Sequence, residues 1–140
     1  MKRPPAVAVH GLAQARAVLG CGFEATLISG RGAGWYAGAA WWIAMVQAAR
    51  DSSGAAFVAD ILDCANAPGA AVAALRLGQR LVILDADCPA FSRVSAMARA
   101  MGADVLSTRP PCLDLDAPGA ERRLAAWLSA GNGDSVPGLR

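Results

Sequence analysis

The chain has 140 residues, of which 55% are hydrophobic and 17% are charged, and its formal net charge is +2. This length suits a single domain, and the weak net charge argues against a nucleic-acid partner. The charged fraction lies below the usual share of about a quarter, which favours a partner for the surface, such as a second copy of the chain.

The sequence contains no candidate for a membrane span. Its longest apolar stretch, 35–46, falls short of the roughly twenty residues that a spanning helix needs. The basic N-terminus is not followed by the long apolar core of a signal peptide, so we expect a cytoplasmic protein without a membrane partner. The four cysteines form no CxxC pair, and in a reducing compartment we expect free thiols.

Short apolar runs alternate with segments of helical spacing along the chain. Five runs predict strands, at 6–9, 25–29, 56–62, 80–85 and 104–108. Five segments predict helices, at 12–19, 36–50, 67–77, 89–101 and 121–130. Strict alternation is typical of a parallel sheet. We therefore predict one α/β domain over residues 1–130, followed by a flexible C-terminal tail over 131–140.

The order of the predicted strands stays open at this stage. In a half (β/α)8-barrel-like sheet, right-handed crossovers would put every helix on one face. The other face would then be bare and apolar, which favours a homodimer. An open flavodoxin-like sheet would have both faces covered and could remain monomeric.

Polar residues follow three of the predicted strands. Ser29 ends the second strand, Asp63 follows the third, and Asp85 and Asp87 follow the fourth. Parallel sheets place their chemistry beyond the carboxyl ends of their strands. We therefore expect these side chains to share one edge of the molecule. Asp63 and Asp87 could equally be helix caps.

A glycine-rich loop follows Ser29, with Gly30, Arg31 and Gly32 at its start. Backbone N–H groups in such a loop can form a nest for an anion, and Arg31 adds positive charge. We predict that Ser29, Gly30, Arg31 and Gly32, with Asp85 and Asp87, bind a small ligand. The alternative is a flexible loop whose glycines adopt positive φ angles.

Several short motifs resemble one enzyme family. Residues 12–17 (LAQARA) are similar to an opening LEQxxA helix, and 29–38 resemble an S-x-G-A-x-x-Y-A-G loop with one extra residue. Residues 62–65 (LDCA) stand where the family has HLDHG, and 84–87 (LDAD) where it has IDGS. Over about 100 of its 140 residues, the chain resembles the N-terminal half of class II (metal-dependent) fructose-bisphosphate aldolases, which are (β/α)8 barrels.

The resemblance implies shared architecture without the shared reaction. It makes Asp63 the counterpart of the catalytic acid/base, but Cys64 replaces a metal-binding histidine. The family's other histidine ligands lie in the second half of the barrel, and this chain has one histidine, His10. The only cofactor that we consider is a divalent metal, which would need His10 and Cys64, together with Asp63 and Asp85, in a dimer.

Three functions follow as hypotheses. The first is a protein without aldolase activity that binds a small phosphorylated or carboxylated metabolite. The second is a metal-dependent lyase assembled in a dimer. The third is a protein-interaction module that uses an exposed sheet face.

Two further features carry expectations about packing. Asp60 interrupts an apolar strand, and a buried carboxylate is unfavourable unless it is paired. We expect it either to face a solvated side of the sheet or to pair with a base such as Arg80. Trp41 and Trp42 would point about 100° apart on a helix, so one should enter the core while the other lies near the surface.

Overall fold

The computed structural model describes residues 3–54 and 58–134. The strands are β1 (Ala6–Ala8), β2 (Thr26–Ile28), β3 (Ala59–Asp63), β4 (Leu81–Ile83), β5 (Asp104–Leu106) and β6 (Cys112–Asp114). The helices are α1 (Leu12–Leu19), α2 (Ala33–Tyr36), α3 (Ala39–Ser53), α4 (Pro68–Arg76), α5 (Phe91–Ala100) and α6 (Ala120–Asp134). The α/β fold with a parallel sheet is confirmed.

The sheet has the order β5-β4-β3-β2-β1-β6, and every pair of neighbours is parallel. Strands β1 to β5 therefore lie side by side in chain order, as in the barrel-like alternative. The sheet is open, with β5 and β6 at its two edges.

Some predicted boundaries were wrong. The count of five strands missed β6, because three residues after Pro110-Pro111 carry no visible alternation. The helix expected over 36–50 is divided into α2 and α3 at Gly38, whose φ of +92° disrupts the helix. Helix α6 continues into the expected tail as far as Asp134. Residues 135–140 of that tail, and 56–57 of the expected third strand, lie outside the described residues.

The two faces of the sheet differ in what covers them. Val7 and Leu27 stand in register on the face that packs against the helices, where Trp42 and Leu128 complete the main core. Small and branched side chains fill the opposite, inner face as a separate cluster of Ala6, Ala8, Ile28, Ile61 and Ile83.

The inner face is not bare, which corrects the expectation for a barrel-like order. The link 107–111 joins β5 to β6, at opposite edges of the sheet, so it crosses the inner face. Its Arg109 reaches Asp63 and Ser29, which follow β3 and β2. The five residues of the inner cluster are at most 5% exposed within one chain. The hypothesis of an interaction module that uses an exposed sheet face therefore loses its support. The homodimer stays a prediction, but a bare apolar face no longer argues for it.

Asp60 faces the helices rather than a solvated surface. Its Oδ2 accepts hydrogen bonds from Trp42 Nε1 and Gln79 Nε2, both at 2.8 Å. Neutral donors therefore satisfy this carboxylate in place of the expected base. Trp42 is fully buried while Trp41 is 37% exposed, which confirms the expected division between the two indoles.

Among the described residues, no helix combines the length and apolarity that crossing a bilayer would require.

Close packing between the start of α2 and the end of β3 predicts that Gly34→Ala is destabilising. An added Cβ would lie 2.6 Å from Cys64 Sγ and 3.3 Å from Leu62 Cγ. Overpacking of this kind costs about 1–3 kcal/mol of unfolding free energy. Urea titration of Gly34→Ala, Cys64→Ala and the double variant measures it. In the Cys64→Ala background, Gly34→Ala should be much less harmful, and an undiminished penalty would contradict the packing argument.

Candidate functional site

The carboxyl ends of the six strands form one edge, where the polar residues meet. His10 follows β1, Ser29 follows β2, Asp63 ends β3 and Asp114 ends β6. Asp85, just beyond β4, is joined to the same edge through its ion pair with Arg31. The structure thus brings Ser29, Asp63 and Asp85 to one edge, as parallel strands require, whereas Asp87 is exposed and Cys64 faces the helices.

A buried group at the centre of this edge is organised around Asp63. Arg109 donates from Nη1 to Asp63 Oδ2 at 2.9 Å and from Nη2 to the Ser29 carbonyl oxygen at 2.7 Å. Ala65 N donates to Asp63 Oδ1 at 2.8 Å. The Asp63 backbone N–H donates to Ser29 Oγ at 2.9 Å. One carboxylate and one guanidinium therefore tie β2, β3 and the link 107–111 together.

This environment favours a structural role for Asp63. Its side chain is fully buried, and both of its carboxylate oxygens accept hydrogen bonds. An acid/base must exchange its proton with a substrate within hydrogen-bond reach. The catalytic role of Asp63 stays a prediction. Sequence reasoning missed Arg109, whose sole sequence signal is a cation directly before Pro110-Pro111.

The glycine-rich loop contacts two carboxylates of the chain itself, those of Asp63 and Asp85. Gly32 adopts a φ of +78°, and its N–H donates to Asp63 Oδ1 at 3.4 Å. Arg31 forms a bidentate pair with Asp85, at 3.2 and 2.9 Å. Its pKa is raised, chiefly by the hydrogen bond and charge of Asp85 and less by Asp87. Part of the predicted anion site is therefore occupied internally.

His10 is the centre of a second, more exposed group. Its Nε2 lies 2.8 Å from Asp114 Oδ1, and its Nδ1 lies 3.6 Å from Asp116 Oδ2. Gln14 accepts from the His10 backbone N–H at 2.7 Å and donates to Asp116 Oδ1 at 2.9 Å. Partial burial raises the pKa of Asp114, but hydrogen bonds from the Asp116 N–H and His10 outweigh this effect and lower it.

The His10 group has the composition of a metal site. Ligand atoms of His10, Asp114 and Asp116 all lie within 4.8 Å of one another. Cys64 does not belong to this group. Its buried thiol faces Gly34 on the helix side of the sheet, and burial, followed by the charge of Asp63, raises its pKa to about 12. The predicted pairing of His10 with Cys64 as metal ligands is therefore not formed within one chain.

A pocket of about 210 Å³ opens beside His10. Tyr36 and Trp41 form its aromatic side, and Gly30 forms part of its floor. A Cβ at position 30 would lie 2.9 Å from Tyr36 Oη and 3.1 Å from His10 Nδ1. Only glycine allows the phenol and the imidazole to converge here. Sequence reasoning missed the part played by Tyr36, because the contact is made across a loop.

No protein-family model matches the sequence, and no curated protein is significantly similar to it.

The contacts of Arg109 predict that its truncation is strongly destabilising. Arg109→Met should lower the free energy of unfolding by about 3–5 kcal/mol, because it leaves the buried Asp63 carboxylate without its cation. Guanidinium titration followed by circular dichroism measures the change. The control is the double variant Asp63→Leu/Arg109→Met, which removes both charges and should recover most of the loss. Equal stability of Arg109→Met and the wild type would contradict the argument.

The burial of Cys64 predicts selective labelling of the cysteines. With its pKa raised to about 12, roughly one Cys64 thiol in ten thousand would be ionised near pH 8. Iodoacetamide should therefore label the half-buried Cys21, Cys88 and Cys112 in the folded protein and spare Cys64 until denaturant is added. Peptide mass spectrometry reads the sites. Early modification of Cys64 would contradict the burial argument.

Proposed function

We propose that this chain binds a small carboxylated or phosphorylated metabolite in the pocket beside His10, and that it has no aldolase activity. The observation that carries the proposal is the convergence of His10 and Tyr36 over Gly30, at the edge where parallel sheets bind ligands. The imidazole and the phenol can both donate hydrogen bonds to an anionic oxygen. The exposed indole of Trp41 provides an apolar wall for the rest of the ligand.

The charges at this edge decide which groups can meet the ligand. Arg31 and Arg109 are engaged with Asp85 and Asp63. Each guanidinium already has a carboxylate partner within the chain, which weakens its attraction for an external anion. His10 lines the pocket, and its Nδ1 lies towards Gly30, where it can donate a hydrogen bond to an anionic oxygen of the ligand.

The contacts of Asp63 and Cys64 support the absence of aldolase chemistry. In the family that the sequence resembles, this pair of positions supplies an acid/base and a metal ligand. Here the carboxylate is bonded to Arg109 and the thiol is buried. A catalytic metal needs several converging ligands and an open position, and these two residues do not converge with His10.

A ligand screen tests the proposal. Phosphorylated sugars and short hydroxy acids are added to the purified chain, and its thermal unfolding is recorded. A ligand at a hundred times its Kd should stabilise the fold by about 2.7 kcal/mol. The stabilisation should be lost in His10→Gln and reduced in Tyr36→Phe. The matched control is Trp35→Phe, a neighbouring exposed aromatic that does not line the pocket.

Two outcomes would count against the proposal. The first is the absence of stabilisation by any anionic compound in the screen. The second is stabilisation that survives His10→Gln and Tyr36→Phe unchanged, because the ligand would then bind elsewhere. Cleavage of fructose 1,6-bisphosphate by the metal-loaded protein would contradict the absence of aldolase activity.

The group of His10, Asp114 and Asp116 favours a second candidate function, a metal-dependent lyase. One imidazole and two carboxylates are suitable ligands for a divalent cation. Adding Mg²⁺, Mn²⁺ or Zn²⁺ to the same unfolding measurement separates the two candidates. Stabilisation by a metal alone, lost in Asp114→Asn, would establish the metal site that the lyase requires. Stabilisation by the anionic compound without added metal would favour simple binding.

A further inference from the structure

A second cavity lies at the opposite, amino end of the sheet. It has a volume of about 430 Å³ and reaches the first residues of β1 and β2, Ala6 and Thr26. Ile61 of the inner face, the indole of Trp127 and the ring of Pro110 also line it. A cavity of roughly 150 Å³ is enough to hold benzene. There is room here for an aromatic ring with a short side chain.

Three hydrogen-bond donors in the walls of this cavity already have acceptors within the chain. Thr26 Oγ1 donates to the Pro4 carbonyl oxygen at 2.8 Å, and Thr26 N donates to the Pro5 carbonyl oxygen at 2.9 Å. Trp127 Nε1 donates to the Ala6 carbonyl oxygen at 2.9 Å. The walls therefore offer an apolar surface, because these donors are already used.

One residue that lines this apolar cavity carries a positive charge. Arg3 contributes the single charged side chain among the described residues that line the cavity, and its side chain is exposed. None of the described lining residues carries a carboxylate side chain. An apolar cavity with one guanidinium is complementary to a molecule with an apolar body and one anionic group.

The segments that line the cavity pack closely against one another. Proline rings contribute to its walls from both the N-terminal segment and the link 107–111. Gly131 of α6 lies so close to Pro5 that an added Cβ would clash with the proline ring. Such preformed walls reduce the entropy lost when a ligand binds.

We propose that this cavity binds a small carboxylic acid with an apolar, preferably aromatic, body. The ring lies against Trp127 and the proline rings, and the carboxylate pairs with Arg3. This site is separate from the pocket beside His10, since it opens at the other end of the strands. The two proposals therefore stand or fall independently.

Titration of the full chain with cinnamate tests the proposal, with cinnamyl alcohol as the neutral analogue. Binding is followed by NMR through the assigned indole N–H signals of the four tryptophans. We expect cinnamate to shift the Trp127 signal in a saturable way. The alcohol should bind more weakly by about tenfold or more, because it cannot form the charge-assisted hydrogen bonds.

Variants test whether Arg3 is the residue that contacts the carboxylate of cinnamate. Arg3→Gln should weaken cinnamate binding by about tenfold or more and leave the alcohol unaffected. Arg93→Gln, on α5 and away from the cavity, is the charge-matched control and should change neither. His10→Gln should also have no effect, which separates this site from the other pocket.

Several results would overturn the proposal. These are no shift of Trp127 at millimolar cinnamate, a shift confined to Trp35 or Trp41, equal affinities for the acid and the alcohol, and undiminished cinnamate binding by Arg3→Gln. Because Arg3 is exposed, its substitution should leave the fold intact, and the unchanged indole signals of the free variant verify this.

Discussion

The buried ion pair between Arg109 and Asp63 is the constraint on which the rest of the structure depends. A sheet with helices on one face must cover its other face, and here a link of a few residues does so within one chain. The guanidinium holds that link against β2 and β3 through Asp63 and the Ser29 carbonyl. Because Asp63 is fully buried, its charge requires this partner. The pair thus helps to keep the apolar inner face covered within one chain.

The same pair determines the electrostatics of the carboxyl edge. With Arg109 committed to Asp63 and Arg31 to Asp85, the positive charges of the edge are largely used within the chain. The half-buried imidazole of His10, hydrogen-bonded to Asp114 and adjacent to Tyr36, lines the pocket at this edge. For this reason the proposed ligand site is the pocket beside His10 rather than the glycine-rich loop itself.

The crossing link also shapes the amino end of the sheet. After Arg109 has fixed its position, Pro110 and Pro111 continue towards β6 and form part of the second cavity. The ends of the sheet consequently differ in character. The carboxyl edge carries ion pairs and a histidine, whereas the amino end has an apolar interior with one arginine at its surface. Both depend on the path of five residues across the inner face.

The sequence by itself determined the α/β class, the parallel strands and the common edge of Ser29, Asp63 and Asp85, because these follow from local periodicity and from the direction of the strands. Through helical spacing, it also predicted that one of Trp41 and Trp42 enters the core while the other lies near the surface. The strand order, the strand β6 and the roles of Arg109 and Asp114 were decided only by the tertiary structure. Arg109 meets Asp63 from 46 residues away, and Asp114 meets His10 from 104 residues away. Contacts between such distant residues leave no local pattern, since chain topology alone brings them together.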